Sequence, residues 1–241
     1  MRIIACAVAL ALGGAAPSTS DPTALARAAV QNLVAQRQGV VAFHLHYAYD
    51  ERGPAHHKSL IVDSIRLRVD GRLAAVRLLR QVTDGNVASR SELARQQAEL
   101  DRKPPSEDFH LPLTAAGFTE YRFASIPDPC SECPAGSVRV GFTSLVRDDE
   151  HGDGSLIVDP SAHRILRIDF QPSALPKHAD SGHVTMIFGP ALPDLWDVVE
   201  TREHYSGHVL FMHGHADVVE TSSDYRRFKN VVEGLEAIKS F

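Results

Sequence analysis

Basic charge is scarce in this 241-residue chain and nowhere concentrated: 25 Lys and Arg stand against 30 Asp and Glu, for a net charge of −5 with His neutral. A nucleic-acid or anionic-membrane partner has no electrostatic footprint in such a composition. Cysteine is nearly absent, at three residues, too few for a zinc site built from two cysteine pairs. Beyond the N-terminal dozen residues no apolar run approaches the ~18 that a membrane-spanning helix needs. Serine nucleophile elbow, P-loop and dinucleotide fingerprint are all missing, so the glycines read as turn residues. With 44% hydrophobic and 23% charged residues, disordered, collagen-like and coiled-coil readings also fall. What remains is a folded chain long enough to bury a sizeable core.

The N-terminus has a form of its own. Arg2 precedes the apolar run Ile3 to Leu12, and Gly13, Gly14, Ala15, Ala16 and Pro17 follow. A short apolar run ending in small residues predicts a secretory signal peptide over 1–16, which leaves residues 17–241 as one exported domain in the periplasm or outside the cell. Cleavage there removes Cys6. No composition shift, linker or internal repeat divides the remainder.

Asp21-Pro22 is a helix start, and Leu25, Ala26, Ala29, Val30, Leu33 and Val34 then recur at helical spacing up to Gly39. From Val40 the period becomes two, with Val41, Phe43, Leu45, Tyr47 and Tyr49 on one face of a strand and His44 and His46 on the other. Asp70-Gly71 predicts a two-residue type I′ hairpin turn. The register this turn sets places Leu67 opposite Ala74, Ile65 opposite Val76 and Asp63 opposite Leu78, with Ser64, Arg66, Arg68 and Arg77 on the other face. Asp63 and Arg80 become diagonal neighbours, and they form a candidate ion pair at a cavity mouth or sheet margin. Ser89-Arg90-Ser91-Glu92 fits a capping box for a mostly exposed helix. Strands follow at Phe118 to Ser125, Ser137 to Val146, Ser155 to Val158, Ile165 to Phe170, His183 to Phe188, Leu195 to Thr201, Val209 to His213 and Ala216 to Glu220. Short turns between them predict an antiparallel meander.

Cys130 and Cys133 are left in the exported chain between Pro129 and Pro134, and a strand rather than a helix follows them. This predicts a disulfide, with redox or metal chemistry as the alternative. His213-Gly214-His215-Ala216-Asp217 reads like the HxHxD part of a metallo-β-lactamase-type hydrolase, but Val219 stands where the next histidine belongs. His44/His46 and His213/His215 are each same-face pairs. Two ligands do not make a site, so a metal centre requires the two pairs to meet on neighbouring strands; otherwise they are exposed histidines on a polar sheet face. The acidic turn from Asp148 to Gly154 lacks EF-hand spacing and reads as a solvated hairpin loop rather than a calcium site.

Gly154-Ser155-Leu156-Ile157-Val158-Asp159-Pro160 followed by His163 to Phe170, together with the opening segment Thr23 to Tyr49 and the closing Ser223 to Phe228, resembles the periplasmic outer-membrane lipoprotein carrier family, LolA/LolB-like proteins. The resemblance implies an α+β fold: a strongly curved antiparallel sheet of about ten strands, an incomplete β-barrel, with one or two helices on its concave face. It also implies an apolar cavity for acyl chains, with a lipoprotein or another apolar ligand as partner. Phe43, Leu45, Ile65, Leu67, Val76 and Phe142 are the candidates to line or fill that interior. No catalytic residue and no cofactor emerges, so the expected role is non-enzymatic binding; a histidine-based metal protein or hydrolase, or a structural envelope protein with a filled core, are the alternatives.

Overall fold

The structure, a computed structural model, describes residues 21–54, 56–102, 110–127, 133–148, 150–175, 179–209 and 212–240. The expected signal peptide, 1–16, lies outside them. Asp21 caps the first helix by accepting the Thr23 N–H at 3.0 Å, and Pro22 opens it with a φ already suited to a helix. This helix, α1 (Pro22–Gln36), buries Leu25, Ala26, Ala29, Val30 and Leu33, the stripe read from the sequence. After it come β1 (Val40–Gly53), β2 (His56–Val69), β3 (Arg72–Thr83), β4 (Asn86–Val87) and α2 (Arg90–Arg102). The second half holds a 3-10 turn (Gly117–Glu120), β5 (Tyr121–Ser125), β6 (Val138–Ser144), β7 (Gly152–Asp159), β8 (Arg164–Pro172), β9 (Ala179–Leu192), β10 (Leu195–Val209), β11 (Met212–Phe228) and α3 (Val231–Lys239).

Among the described residues the strands pair antiparallel in one sheet of eleven, in the order β4-β3-β2-β1-β11-β10-β9-β8-β7-β6-β5. Two meanders are joined edge to edge by β1 and β11, from Val40 opposite Phe228 to Arg52 opposite His215. Three details differ from the sequence reading. Phe118 belongs to the 3-10 turn rather than to a strand. Val209 ends β10, and His213 to Glu220 run unbroken within β11. A third helix, α3, closes the chain. It is capped by Asn230, which accepts the Glu233 N–H at 2.9 Å. No described helix is long and apolar enough to cross a membrane.

Asp70 and Gly71 have φ of 51° and 80°, as a type I′ turn requires. The strands leaving that turn keep the expected register for two pairs, Val69 with Arg72 and Arg68 with Leu73. Irregularities at Leu67/Arg68 and at Asp63/Ser64 each insert a residue in β3, so Leu67 faces Ala75, Ile65 faces Arg77 and Asp63 faces Arg80 directly. Between β1 and β2 the register is unbroken and sets Phe43 opposite Arg66, Val41 opposite Arg68 and Ala42 opposite Leu67. Cross-strand partners share a face. The apolar residues of β1 and β2 therefore point to opposite sides of the sheet.

The two sides have different covers. On one, α1 packs with Val140, Phe142, Leu156, Val158, Ile165, Ile168, Phe170 and Val184. On the other, Ile238 and Leu235 of α3 pack on Val40, Ala42, Ile65 and Leu67. The expected one or two helices on a single face are thus corrected to a helix on each face. α2, which buries no residue, lies along the sheet edge. There the Gln97 amide donates to Val76 O and accepts from Leu78 N, both at 2.8 Å, which satisfies edge groups of β3 beyond the short β4. The Ser89/Glu92 capping box forms as read, with Ser89 N donating to Glu92 at 2.7 Å.

Gly154 shows how tightly the α1 side is packed. It lies opposite Phe170 in the β7–β8 pair, and a Cβ there would stand 2.0 Å from Asp169 O and 2.6 Å from Phe170 Cβ. No rotamer relieves a backbone clash. Gly154→Ala is expected to lower stability by about 2 kcal/mol or more, read as a fall in the urea midpoint; an unchanged midpoint would show that β7 and β8 can separate freely.

Candidate functional site

α1 covers the α1 side only from β5 to β10, and the β1, β2 and β3 half of that side is furnished differently. Val41, Phe43, Leu45, Leu195 and Tyr225 form a second cluster there. Between the two clusters lies a partly open cavity of about 130 Å³. Its apolar wall comes from both: Phe43, Leu45 and Leu73 on one side, Leu111, Leu113, Met186 and Val198 on the other. Its polar wall is Arg37, Arg66, Arg68, Thr201, Glu203, Glu220 and Ser222.

A buried ion cluster sets the floor. Asp197 of β10, only 4% exposed at its side chain, accepts from Arg37 Nε at 3.1 Å and pairs with Arg68 of β2 at 3.4 Å. It also accepts the Val198 N–H at 2.8 Å. Burial pushes its carboxyl up, but the Arg37 and Arg68 charges outweigh burial and hold it below the usual carboxylate range. The Arg68 guanidinium lies 4.7 Å from the Phe43 ring centroid, and Phe43 stacks on Tyr225 at 5.0 Å. Tyr225 donates to Val198 O at 2.7 Å, and burial together with the nearby Asp197 charge pushes its phenol up to about 12. One ionic group therefore ties the end of α1 to β2 and β10, and Phe43, backed by Tyr225, lines the cavity beside it. Arg66 sits 3.8 Å from Glu220, and its Nε is buried without a hydrogen bond.

The six sequence candidates divide. Phe43 and Leu45 line this cavity. Phe142 is on the same side but within the packed α1 cluster. Val76, opposite Arg66, shares the side without lining the cavity. Ile65 and Leu67 are on the other side, buried under α3 and away from this cavity. The sheet buries apolar residues on both faces here, so the alternation in β2 records the α3 face. Arg66 and Arg68, read as outward residues, are the ones that reach the cavity.

The Asp63–Arg80 pair forms, at 3.5 Å, but on the α3 side and away from the cavity. Asp63 also holds His46 at 2.7 Å and lies 3.8 Å from His44. The strands carrying His44/His46 and His213/His215 are indeed neighbours. Their register, however, sets His46 against Thr221 and His215 against Arg52, about 20 Å along the strands from each other. The four imidazoles do not meet, and among the described residues no group of three or more His, Cys, Asp or Glu is placed to hold a metal ion.

Within the acidic turn, Asp148 accepts from the N–H groups of Glu150 and His151, at 3.0 and 2.9 Å, and from His151 Nδ1, while Asp153 accepts the Ser144 N–H at 2.8 Å. Their oxygens go to shaping the loop. Buried His151 also reaches Glu120 at 3.2 Å; burial works against its charge, but the two carboxylates prevail and raise its pKa above the ordinary value. Of the cysteine pair, Cys130 lies outside the described residues. Sequence reasoning missed Asp197 and Tyr225; a lone Asp in the alternation Leu195, Asp197, Val199 was the available signal.

No family model matches the chain, and no curated protein matches it. Among solved structures it is similar to a LolA superfamily protein, NE2245, from Nitrosomonas europaea, with 12% identity over 86% of this chain and 96% of that one, at a TM-score of 0.36. It is also similar to a DUF1329 family protein from Desulfovibrio piger, with 11% identity over 88% of this chain and 95% of that one, at a TM-score of 0.39. At these values the functional reading rests on the residues of this chain alone.

Breaking the ion cluster on one side leaves two partly buried guanidinium groups without their counter-charge. Asp197→Asn is expected to cost about 3 kcal/mol at pH 7. Because the folded carboxyl titrates below its unfolded value, its contribution is present above about pH 4 and is lost as pH falls through the folded value. Urea titrations from pH 7 down to 3 should therefore show the wild type losing its advantage over Asp197→Asn; a constant difference would remove the carboxylate charge as the cause.

Proposed function

We propose that this chain is an exported binding protein whose sheet wraps as a half-barrel and takes the apolar end of a ligand, such as an acyl chain of a lipoprotein or lipid, into the cavity between the α1 cluster and β1. The observation that carries the reading is the seam itself: two hydrophobic clusters on one side of a continuous sheet leave a space between them lined by Phe43, Leu45, Leu73, Met186 and Val198. Apolar burial there is worth roughly 25 cal/mol per Å². At about 130 Å³ the space is smaller than the ~300–1,000 Å³ of whole small-molecule sites, so it suits the end of one chain. The arginines at its edge place a polar head outside.

The uncharged fluorophore N-phenyl-1-naphthylamine tests this reading. Saturable binding to the wild type and at least tenfold weaker binding to Met186→Trp, which fills the space, are expected. Absence of saturable binding, or equal binding to both proteins, would reject it.

The same reading places 1–16 as a cleaved signal peptide, 17–241 as the exported domain and Cys130 with Cys133 in a disulfide. Intact mass of the secreted protein is expected to show loss of 16 residues, and thiol titration under denaturing conditions no free thiol. A retained N-terminus or two titrating thiols would overturn the respective assignment.

A further inference from the structure

One wall of the ligand cavity is not part of the sheet. Leu111 and Leu113 belong to a short strap, residues 110–113, and are buried in it together with Pro112. At the start of the strap the His110 N–H donates to Glu150 O and the Tyr121 hydroxyl donates to His110 O, both at 2.8 Å. Its other end is set by the 3-10 turn, where the N–H groups of Gly117 and Phe118 bond to Thr114 at 3.0 and 2.9 Å. The turn lies directly on the strap, since a Cβ on Gly117 would come within 2.6 Å of Leu111 O. What holds the turn therefore holds the cavity wall.

The last residue of that turn, Glu120, is tied to the β6–β7 loop. Its carbonyl accepts the Leu145 N–H at 2.8 Å, and its carboxylate lies 3.2 Å from Nε2 of His151. The other ring nitrogen, Nδ1, lies 2.6 Å from Asp148. A carboxylate only accepts and a neutral imidazole has one donor, so both contacts are hydrogen bonds only when the ring carries two protons. Burial opposes that charge, but the Asp148 and Glu120 carboxylates overcome it, and His151 keeps its proton to higher pH than an ordinary histidine.

The other charged groups around the ring are already engaged. Within the loop, Arg147 pairs with Asp153 at 2.5 Å, and Glu150 stands 3.4 Å from His110 of the strap. The His110 ring meets the His151 ring edge-on at 5.5 Å, and the Tyr121 ring of β5 lies at 6.1 Å. The chain after β8 adds N–H groups, from Ser173 to His151 O and from Ala174 to Asp148 O. Asp148 is fixed further by the N–H groups of Glu150 and His151, whereas the Glu120 side chain is 41% exposed. When the ring loses a proton, the Glu120 contact is the one that gives way.

We propose that His151 is a pH-sensitive clasp on the cavity wall: its imidazolium fastens the 3-10 turn to the β6–β7 loop and so seats Leu111 and Leu113, and its deprotonation loosens them. Control of ligand uptake by this clasp rests on the cavity taking an apolar ligand; the clasp itself does not. A group whose folded pKa is raised contributes fully below its unfolded value, about 6.5 for imidazole, and the contribution is lost as pH rises through the folded value. The wall is thus firm in mildly acidic medium and slackens in alkaline medium.

Amide hydrogen exchange at pH 6.0 and 9.0, expressed as protection factors so that the intrinsic pH dependence cancels, reads the wall directly. The amides of Phe118 and Leu145 are expected to be at least fivefold less protected at pH 9.0, with those of Leu156 and Ile168 in the sheet unchanged. His151→Gln should show the lower protection at both values, and Glu120→Gln, at an exposed carboxyl, should lose most of the pH response. Tyr121→Phe removes an uncharged tie and should lower protection at both values while keeping their ratio. N-phenyl-1-naphthylamine should bind the wild type at least threefold more weakly at pH 9.0 and His151→Gln equally at both. Wild-type protection that ignores pH, or a pH response that survives in both His151→Gln and Glu120→Gln, would overturn the clasp. A pH response in exchange with equal dye affinity at both values would overturn its control of the cavity. Absence of dye binding at both values rejects the cavity reading instead, and the exchange data then judge the clasp alone.

Discussion

The pairing of β1 with β11 is the constraint on which the rest depends. These strands are more than 150 residues apart in the chain, and their ladder turns two separate meanders into one sheet. Loop-closure entropy opposes such a contact, and what offsets it is concentrated at the joint. Phe43 of β1 stacks on Tyr225 of β11, and Arg68 from β2 lies on Phe43 while pairing with Asp197 from β10. The cavity exists because of that joint, since its walls come from strands on both sides of it.

A sheet with both faces partly covered has two chemistries. The α1 side carries the two apolar clusters, with arginines and carboxylates beside the cavity and the Glu51–His56 pair toward the β1–β2 turn. The α3 side is apolar under α3 and beyond it carries a series of histidine–aspartate contacts: His46 with Asp63, His57 with Asp50, His204 with Asp217 and His208 with Asp180. Exposed pairs of this kind contribute little to stability, so their number bears on what the surface meets more than on how the fold holds together.

Much of the fold was legible locally. The Asp21-Pro22 helix start, the Asp70-Gly71 turn and the Ser89/Glu92 capping box each follow from interactions among residues within a few positions, and each appears as read. The candidate site was legible only in part. The strand period puts Phe43 and Leu45 on one face and Ile65 and Leu67 on one face, but nothing local says that the two stripes occupy opposite sides of the sheet. The one-residue insertions in β3 are invisible in the Asp70-Gly71 turn that precedes them, and they moved Asp63 and Arg80 from diagonal to direct partners.

By itself, the sequence determined the elements: where helices begin, where hairpins turn and which residues of each strand share a face, because these depend on backbone sterics and short-range hydrogen bonds. Only the tertiary structure decided which faces look at each other. It put Arg66 and Arg68 beside Phe43, buried Asp197 between two arginines, and kept His44/His46 apart from His213/His215 although their strands are neighbours. Those outcomes depend on the register of strands far apart in the chain, which is selected by the burial of the whole sheet and not by any one segment of it.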